Sequence, residues 1–190
     1  MSSATRTERL DTESVVAAAA RIADRKGLEH LSLSALARAL GVRTPSLYTH
    51  VAGLPGLRRL LGLRGLDELN AAIARAALGR SGDEAVIAAA RAYRDYCHEH
   101  PGTYAASVPT IRGGDAAWAK ARDRIRETLA LALRGLDLDA EEKIHAIRGF
   151  RSIVHGFASM EAAGAFTGPV DRDESFARIV ATYLAGLRSR

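Results

Sequence analysis

The sequence predicts an all-α protein, with a three-helix head that carries a helix-turn-helix and a six-helix body behind it. Three observations predict it. Ala, Leu and Arg are abundant in the 190 residues, all are good helix formers, and alternating β-branched runs are scarce. Apolar residues recur at about 3.6-residue spacing in segment after segment. Residues 31–51, LSLSALARALGVRTPSLYTHV, read as two short helices joined by a tight turn. That build offers its second helix to a DNA major groove.

In chain order, residues 1–10 form a polar arm. Arg6 and Arg9 on it suit either a solvated tail or a reach to the DNA backbone or minor groove. The first helix runs over 12–26, capped by Asp11 or Thr12, with Val15, Ala19, Ile22 and Ala23 inward. Its free N–H groups suit a phosphate. In the next helix Ser32 takes the N-cap and Ser34 the first turn, and Leu33, Leu36, Ala37 and Leu40 form a buried stripe. Ala37 is small where two helices cross. Gly41 stops the helix by taking a positive φ, and Val42 plugs the turn. Pro45 opens the second helix, where its missing N–H does no harm. Leu47 and Val51 face inward, which leaves Arg43, Thr44, Ser46, Thr49 and His50 outside. An ordinary αα-hairpin is the competing reading. Small residue, glycine and apolar plug at these joint offsets favour the DNA-reading one.

Beyond Gly53, Pro55 and Gly56 a long helix extends to about Leu78, with Leu57, Leu60, Leu61, Leu66, Leu69 and Ile73 near one face. Gly79 and Gly82 break it. A helix over 83–100 stops at Pro101-Gly102, and a short helix over 103–108 precedes breaks at Pro109 and Gly113-Gly114. Helices over 115–133, 140–163 and 173–187 bring the total to nine.

Composition narrows the function. The net charge is +5. Nine Lys/Arg stand against five Asp/Glu up to Leu60, and eighteen against seventeen beyond it, so the excess lies on the suspected DNA-facing segment. No uninterrupted apolar run approaches the ~18 residues of a membrane span, and the N-terminus lacks the apolar core of a signal peptide. Cys97 is the only cysteine, which excludes an intramolecular disulfide and suits a reducing cytoplasm. No HExxH, P-loop, GxGxxG or GxSxG occurs, so no catalytic residue, metal or cofactor is expected. His98 and His100 are two apart and Cys97 and His98 adjacent, so neither pair shares a helix face. Glu161 and His155, six apart, are not aligned either.

The run Arg25-Lys26-Gly27-Leu28, then Leu33-Ser34-Ala35-Leu36-Ala37, Leu40-Gly41-Val42 and Leu47-Tyr48-Thr49-His50-Val51 resembles the N-terminal domain of TetR-type transcriptional regulators. The family often has Phe after that His, and a Lys three residues further on that reaches a phosphate. Val51 and Leu54 stand there in this chain, with Arg58 and Arg59 the nearest substitutes. The resemblance divides the chain into the arm (1–10), a helix-turn-helix domain (11–54) and a ligand-binding and dimerisation domain (55–190). The expected DNA-facing set is Ser34, Arg43, Thr44, Pro45, Ser46, Tyr48, Thr49 and His50. Arg43 and Thr44 suit a phosphate or a base edge, and His50 either as well. Ser46 and Thr49 are short outward donors and acceptors. Tyr48 is expected to pack its ring on the first helix and send its hydroxyl to a phosphate. Arg43 is the only arginine placed for bidentate readout of guanine.

Residues 100–104 (HPGTY) and Val154-His155-Gly156-Phe157 through Gly164-Ala165-Phe166 resemble a subgroup marked by a Trp-His-Gly triplet, with Val154 in place of the Trp. The resemblance implies that the last two long helices pair with those of a second subunit. Gly149, Ser152, Gly156, Ala158, Ser159, Ala162 and Ala163 would permit close approach there, with Ile179 and Tyr183 on the final helix. Intrachain packing of an Ala-rich helix is the alternative. A pocket among the middle helices would draw on Tyr93, Tyr96, Cys97, His100, Tyr104, Trp118, Arg122, Arg151 and His155. For each one taken alone, a core or helix contact is the favoured reading. Arg151 and His155, four apart, share a face suited to an anionic or polar group, although surface ion pairing explains the Arg as well.

Three functions follow in order. The first is a homodimeric repressor that a small-molecule effector releases from a palindromic double-stranded operator, whose half-sites require heads about 34–36 Å apart. The second is a DNA-binding regulator that lacks such an effector, or that activates. The third is a small helical enzyme, which leaves the head unexplained.

Overall fold

The computed structural model describes residues 10–108 and 114–189. The arm with Arg6 and Arg9, and the breaks at Pro109 and Gly113, lie outside the described residues. Those described form eight α-helices, a 3-10 turn at Leu28–His30 and a second at Thr44–Thr49.

The head is built by local signals. Helix α1 (Thr12–Lys26) is capped by Asp11 rather than Thr12. The Asp11 carboxylate accepts from the Ser14 N–H at 2.7 Å, and the Ser14 hydroxyl oxygen accepts from the Asp11 N–H at 3.1 Å. Helix α2 (Leu33–Leu40) is capped by Ser32, whose hydroxyl accepts from the Ala35 N–H at 3.2 Å. Gly41 ends it at φ +67°, and the Val42 N–H returns to the Ala37 carbonyl at 3.0 Å. The predicted second helix of the motif is the 3-10 turn Thr44–Thr49, not an α-helix. Six residues with a proline at the second place are too few to offset α-helix nucleation, and i→i+3 bonds close such short pieces.

Helix α3 (Gly53–Ala77) is 25 residues long, roughly 37 Å at 1.5 Å per residue. It serves two cores. Leu57 and Leu61 join α1, α2 and the 3-10 turn in the head, so the head's core continues past position 54. Leu66, Leu69 and Ile73 join the body. There α3 packs with α4 (Gly82–Glu99), α5 (Pro101–Ser107), α6 (Ala116–Ala132), α7 (Ala140–Ala162) and α8 (Arg172–Arg188). All six body helices expected from sequence are present, with one shift of boundary. Helix α4 ends before Pro101 as expected, and Pro101 itself starts α5 two residues ahead of the expected 103, at the position where a missing N–H is harmless.

The seven residues of α5 sit in a grip. A Cβ placed on Gly102 would stand 2.2 Å from the Ala23 carbonyl of α1. On the other side, a Cβ on Gly65 of α3 would stand 2.7 Å from the Thr103 carbonyl, and one on Gly62 2.5 Å from the Ala106 carbonyl. These contacts of backbone on backbone leave no flexible side chain to yield. We expect Gly102→Ala to cost about 1–3 kcal/mol through overpacking. Gly41→Ala, with open space around the added methyl, should cost about 1–2 kcal/mol from the positive φ alone. Urea titrations followed by circular dichroism check both.

Candidate functional site

The 3-10 turn presents its polar side chains on one surface. Leu47 and Val51 are buried and hold it to the head core. Arg43, Pro45, Ser46 and Thr49 are exposed, and Thr44 and His50 are half-buried. The Thr49 hydroxyl donates to the Ser46 carbonyl at 2.8 Å, so its proton is already used while its lone pairs stay open. Ser34, exposed on α2, lies 3.2 Å from the Ser32 hydroxyl.

Two expectations are corrected here. Tyr48 does not pack on α1, since the residue is 61% exposed. Leu47 and Val51 occupy the inward places, and a 3-10 turn of about three residues per turn aims their neighbour Tyr48 outward. Arg59 is not a spare phosphate anchor. Its guanidinium forms a fork with the Asp115 carboxylate, NH2 to Oδ1 at 2.9 Å with Nε on Oδ2, and Asp115 in turn caps α6. The guanidinium holds the Asp115 carboxyl below its ordinary range. Arg58 is the arginine left exposed there, with one NH2 donating to the Leu28 carbonyl at 3.3 Å.

The pocket residues named from sequence separate into groups. Tyr93, Tyr104, Arg151 and His155 come together and line one cavity of about 290 Å³, with Leu66, Leu69 and Ile125 on its apolar wall. The Tyr104 hydroxyl lies 3.1 Å from that of Tyr93 and 2.5 Å from His155 Nδ1. Burial pushes both phenols up, so both stay protonated and able to donate. Cys97 lines a second cavity of about 390 Å³ that also touches Tyr104 and His155. Burial lifts its thiol to about 12, which makes it unreactive. Tyr96 and His100 belong elsewhere, on an open groove between α3 and α4. Trp118 lies in the body core with its ring over Gly62, and Arg122 donates to the Val108 carbonyl at 3.0 Å, so neither lines these cavities.

Sequence reasoning missed Arg148 and Ser107, which line the first cavity. It also missed an ion-pair web between α4, α7 and α8. Arg94, 12% exposed in its side chain, makes a bidentate pair with Glu161 at 2.8 and 2.7 Å, reaches Asp173 at 2.8 Å, and lies over the rings of Phe157 and Phe176. His98 Nε2 approaches the same Glu161 at 2.8 Å. No helical period links residues so far apart in sequence.

Of the residues expected at a subunit interface, Ser152 and Ser159 on α7, Ala163 at its C-cap and Ile179 on α8 are exposed, and the Cβ direction of Gly156 is open. Ser152 and Ser159 also line the two cavities. Tyr183 turns inward instead. Its hydroxyl donates to the Ala146 carbonyl at 2.6 Å, and its ring edge covers Gly149 and meets Phe150. Among the described residues no cluster of His, Cys, Asp and Glu could hold a metal ion, and no helix is long and apolar enough to cross a membrane.

A helix-turn-helix with an exposed polar reading surface, carried on an all-helical body, defines a DNA-binding transcriptional regulator. Residues 86–183 match the family described as tetracyclin repressor-like, C-terminal domain. The chain is 37% identical over 189 residues to the HTH-type transcriptional regulator Rv0681 of Mycobacterium tuberculosis, covering 99% of this chain and 86% of that one. It is 37% identical over 183 residues to the HTH-type regulator YobS of Bacillus subtilis, covering 94% and 93%. A crystal structure of BioQ with its double-stranded DNA operator superposes with a TM-score of 0.69 at 25% identity, covering 96% of this chain and all of that one. The chain belongs to the TetR family of helix-turn-helix transcriptional regulators.

The ion-pair web makes stability depend on pH. The Arg94 hydrogen bonds, followed by its charge and that of His98, hold the Glu161 carboxyl below its ordinary 4.5 despite burial. A depressed carboxyl adds stability that is fully present above about 4.5 and is lost as pH falls through the lowered value. Glu161→Gln should therefore flatten the acid limb of a Tm-against-pH curve. Glu161→Ala should cost about 1–3 kcal/mol at neutral pH, because it leaves the buried guanidinium of Arg94 with Asp173 as its remaining carboxylate.

Proposed function

We propose that the chain is a homodimeric cytoplasmic repressor, released from a palindromic operator when a small molecule enters the body. The observation that carries the reading is the position of α5. Tyr104 on this helix lines the cavity, while its neighbours Gly102 and Thr103 touch α1 and Ala106 lies in the head core. An occupant that moves Tyr104 acts directly on the element that fixes the head.

The domain division at 54/55 follows this split of labour, with operator contact in 11–54 and ligand and partner contact in 55–190. Ser34, Arg43, Thr44, Pro45, Ser46, Tyr48, Thr49 and His50 form the operator surface. Arg43 is the cation placed for a base edge, and the exposed Tyr48 reaches DNA with ring and hydroxyl together. One such turn reads few base pairs, so a second head is needed for a usable specificity ratio. The exposed Met160 and Ile179 on α7 and α8, with the open backbone at Gly156, support a twofold contact there. The chain acts by binding, with no catalytic step.

A gel shift on the chain's own upstream DNA tests the reading. Arg43→Ala with Tyr48→Ala should weaken binding about tenfold or more and reduce the salt dependence, with Tm unchanged because both side chains are exposed. Binding that survives the double substitution would place the reading surface elsewhere. Met160→Asp with Ile179→Asp should convert a dimer to a monomer in light scattering.

A further inference from the structure

We propose that the molecule bound in the body is an elongated amphipathic anion. Its acid group sits among Arg148, Arg151 and His155, and its hydrocarbon tail passes Tyr104 into a second, apolar chamber. This rests on the reading above and names the chemical class of the effector.

The first chamber supplies charge. Arg148 and Arg151 lie one turn apart on α7 and line it opposite an aliphatic wall of Leu66, Leu69 and Ile125. Among the described residues neither arginine has a carboxylate within salt-bridge distance, whereas Arg59, Arg64, Arg94 and Arg124 each sit against an acid. Nearby Arg122, outside the chamber lining, has its charge disfavoured by burial and then by Arg151. A concentration of cationic groups beside an apolar wall is relieved by an anion, and guanidinium forks match a carboxylate. The Tyr93 and Tyr104 hydroxyls add two buried donors in a row.

The second chamber supplies the tail site. Pro101, Ala105, Val108, Ala158 and Ala162 line it, with Cys97 as an inert thiol. Both chambers share Tyr104, Val108 and His155. The Tyr104–His155 hydrogen bond is therefore a partition between them. Each chamber alone is at the small end of ligand sites, and neither matches a bulky neutral molecule. An acid that takes the Tyr104 hydroxyl as its donor replaces His155 as partner and opens the partition to its own chain. The purely polar alternative, a small inorganic anion, leaves the apolar chamber unused.

Calorimetric titration of the full-length protein with decanoate, hexanoate, decanol and decyltrimethylammonium tests this. Decanoate should bind saturably, hexanoate more weakly, decanol at least about tenfold more weakly for want of charge-assisted hydrogen bonds, and the cation not at all. Arg151→Gln should weaken decanoate about tenfold and leave decanol unchanged. Ala162→Leu, at an exposed position that lines the second chamber, should weaken decanoate more than hexanoate. An unchanged Tm in each variant shows an intact fold. Absent decanoate binding, equal binding of decanol, or indifference to Arg151→Gln overturns the proposal. The same ligands in the gel shift separate it from the repressor reading. Decanoate that binds without releasing DNA keeps the anion site and removes release. Release by a neutral or cationic compound alone keeps the repressor and removes the anion.

Discussion

The carboxylate of Asp24 on α1 closes the N-terminus of α5, a helix that is not its own. It accepts from the Thr103 N–H at 2.7 Å and from the Thr103 hydroxyl at 3.0 Å. His100, the residue at the cap position of α5, makes no side-chain cap. The first turn of any helix leaves N–H groups unpaired and carries a partial positive charge, so a carboxylate there is doubly favourable. Thr103 is fully buried. Without Asp24 its N–H and hydroxyl would be stranded, at about 1–3 kcal/mol for each group. Gly102 against the Ala23 carbonyl removes any slack beside that bond. The head is thus fixed to the body by a charge-assisted pair and a contact of bare backbones, in addition to the continuous run of α3.

This constraint orders the rest. Because α5 is held from α1 and again from Gly62 and Gly65 of α3, its outward face is fixed relative to α7. Tyr104 then meets Tyr93 on one side and His155 on the other. Further out, Arg94 ties α4 to α7 and α8, and Arg59 ties α3 to the start of α6. The charged pairs are placed at helix ends and crossings, while the aliphatic cores fill the space between. That division suits a chain whose helices must keep their register across two cores rather than one.

What was legible in the sequence was local. Asp11, Ser32 and Gly41 act within four residues of themselves, and the caps they form set the helix ends. The stripe of Leu36 and Ala37, and the inward Leu47 and Val51, follow from period alone. The grouping of Arg151 with His155 was legible for the same reason, being one turn on one helix. Asp24 with Thr103 is separated by 79 positions, Arg59 with Asp115 by 56 and Arg94 with Glu161 by 67, and no periodicity connects them. α-Helical spacing turns Tyr48 toward α1, whereas the 3-10 turn that the chain makes there aims it outward. Trp118 and Tyr96 share the composition of pocket residues, and only the orientation of their helices sends one to the body core and the other to the groove between α3 and α4.

The shortness of α5 bears on how the two halves could communicate. Adjacent residues on an α-helix point about 100° apart, so Thr103 turns to α1 while Tyr104 turns to the cavity. Over seven residues there is no length in which a displacement could be absorbed by bending, since smooth helix curvature has a radius of ~60–100 Å. A shift of Tyr104 is therefore a shift of Thr103. The Asp24 bond and the Gly102 contact have little give, and packed interfaces yield by changing arrangement rather than by gradual deformation. On the proposed reading the head has two placements on the body instead of a continuum. A ligand need supply only the difference in its own binding between them. Glycine at positions 62, 65 and 102 lets the backbone of α5 lie directly against α3 and α1, where a Cβ would have no room, and on the proposed reading this close seating is what passes a movement of α5 to the head.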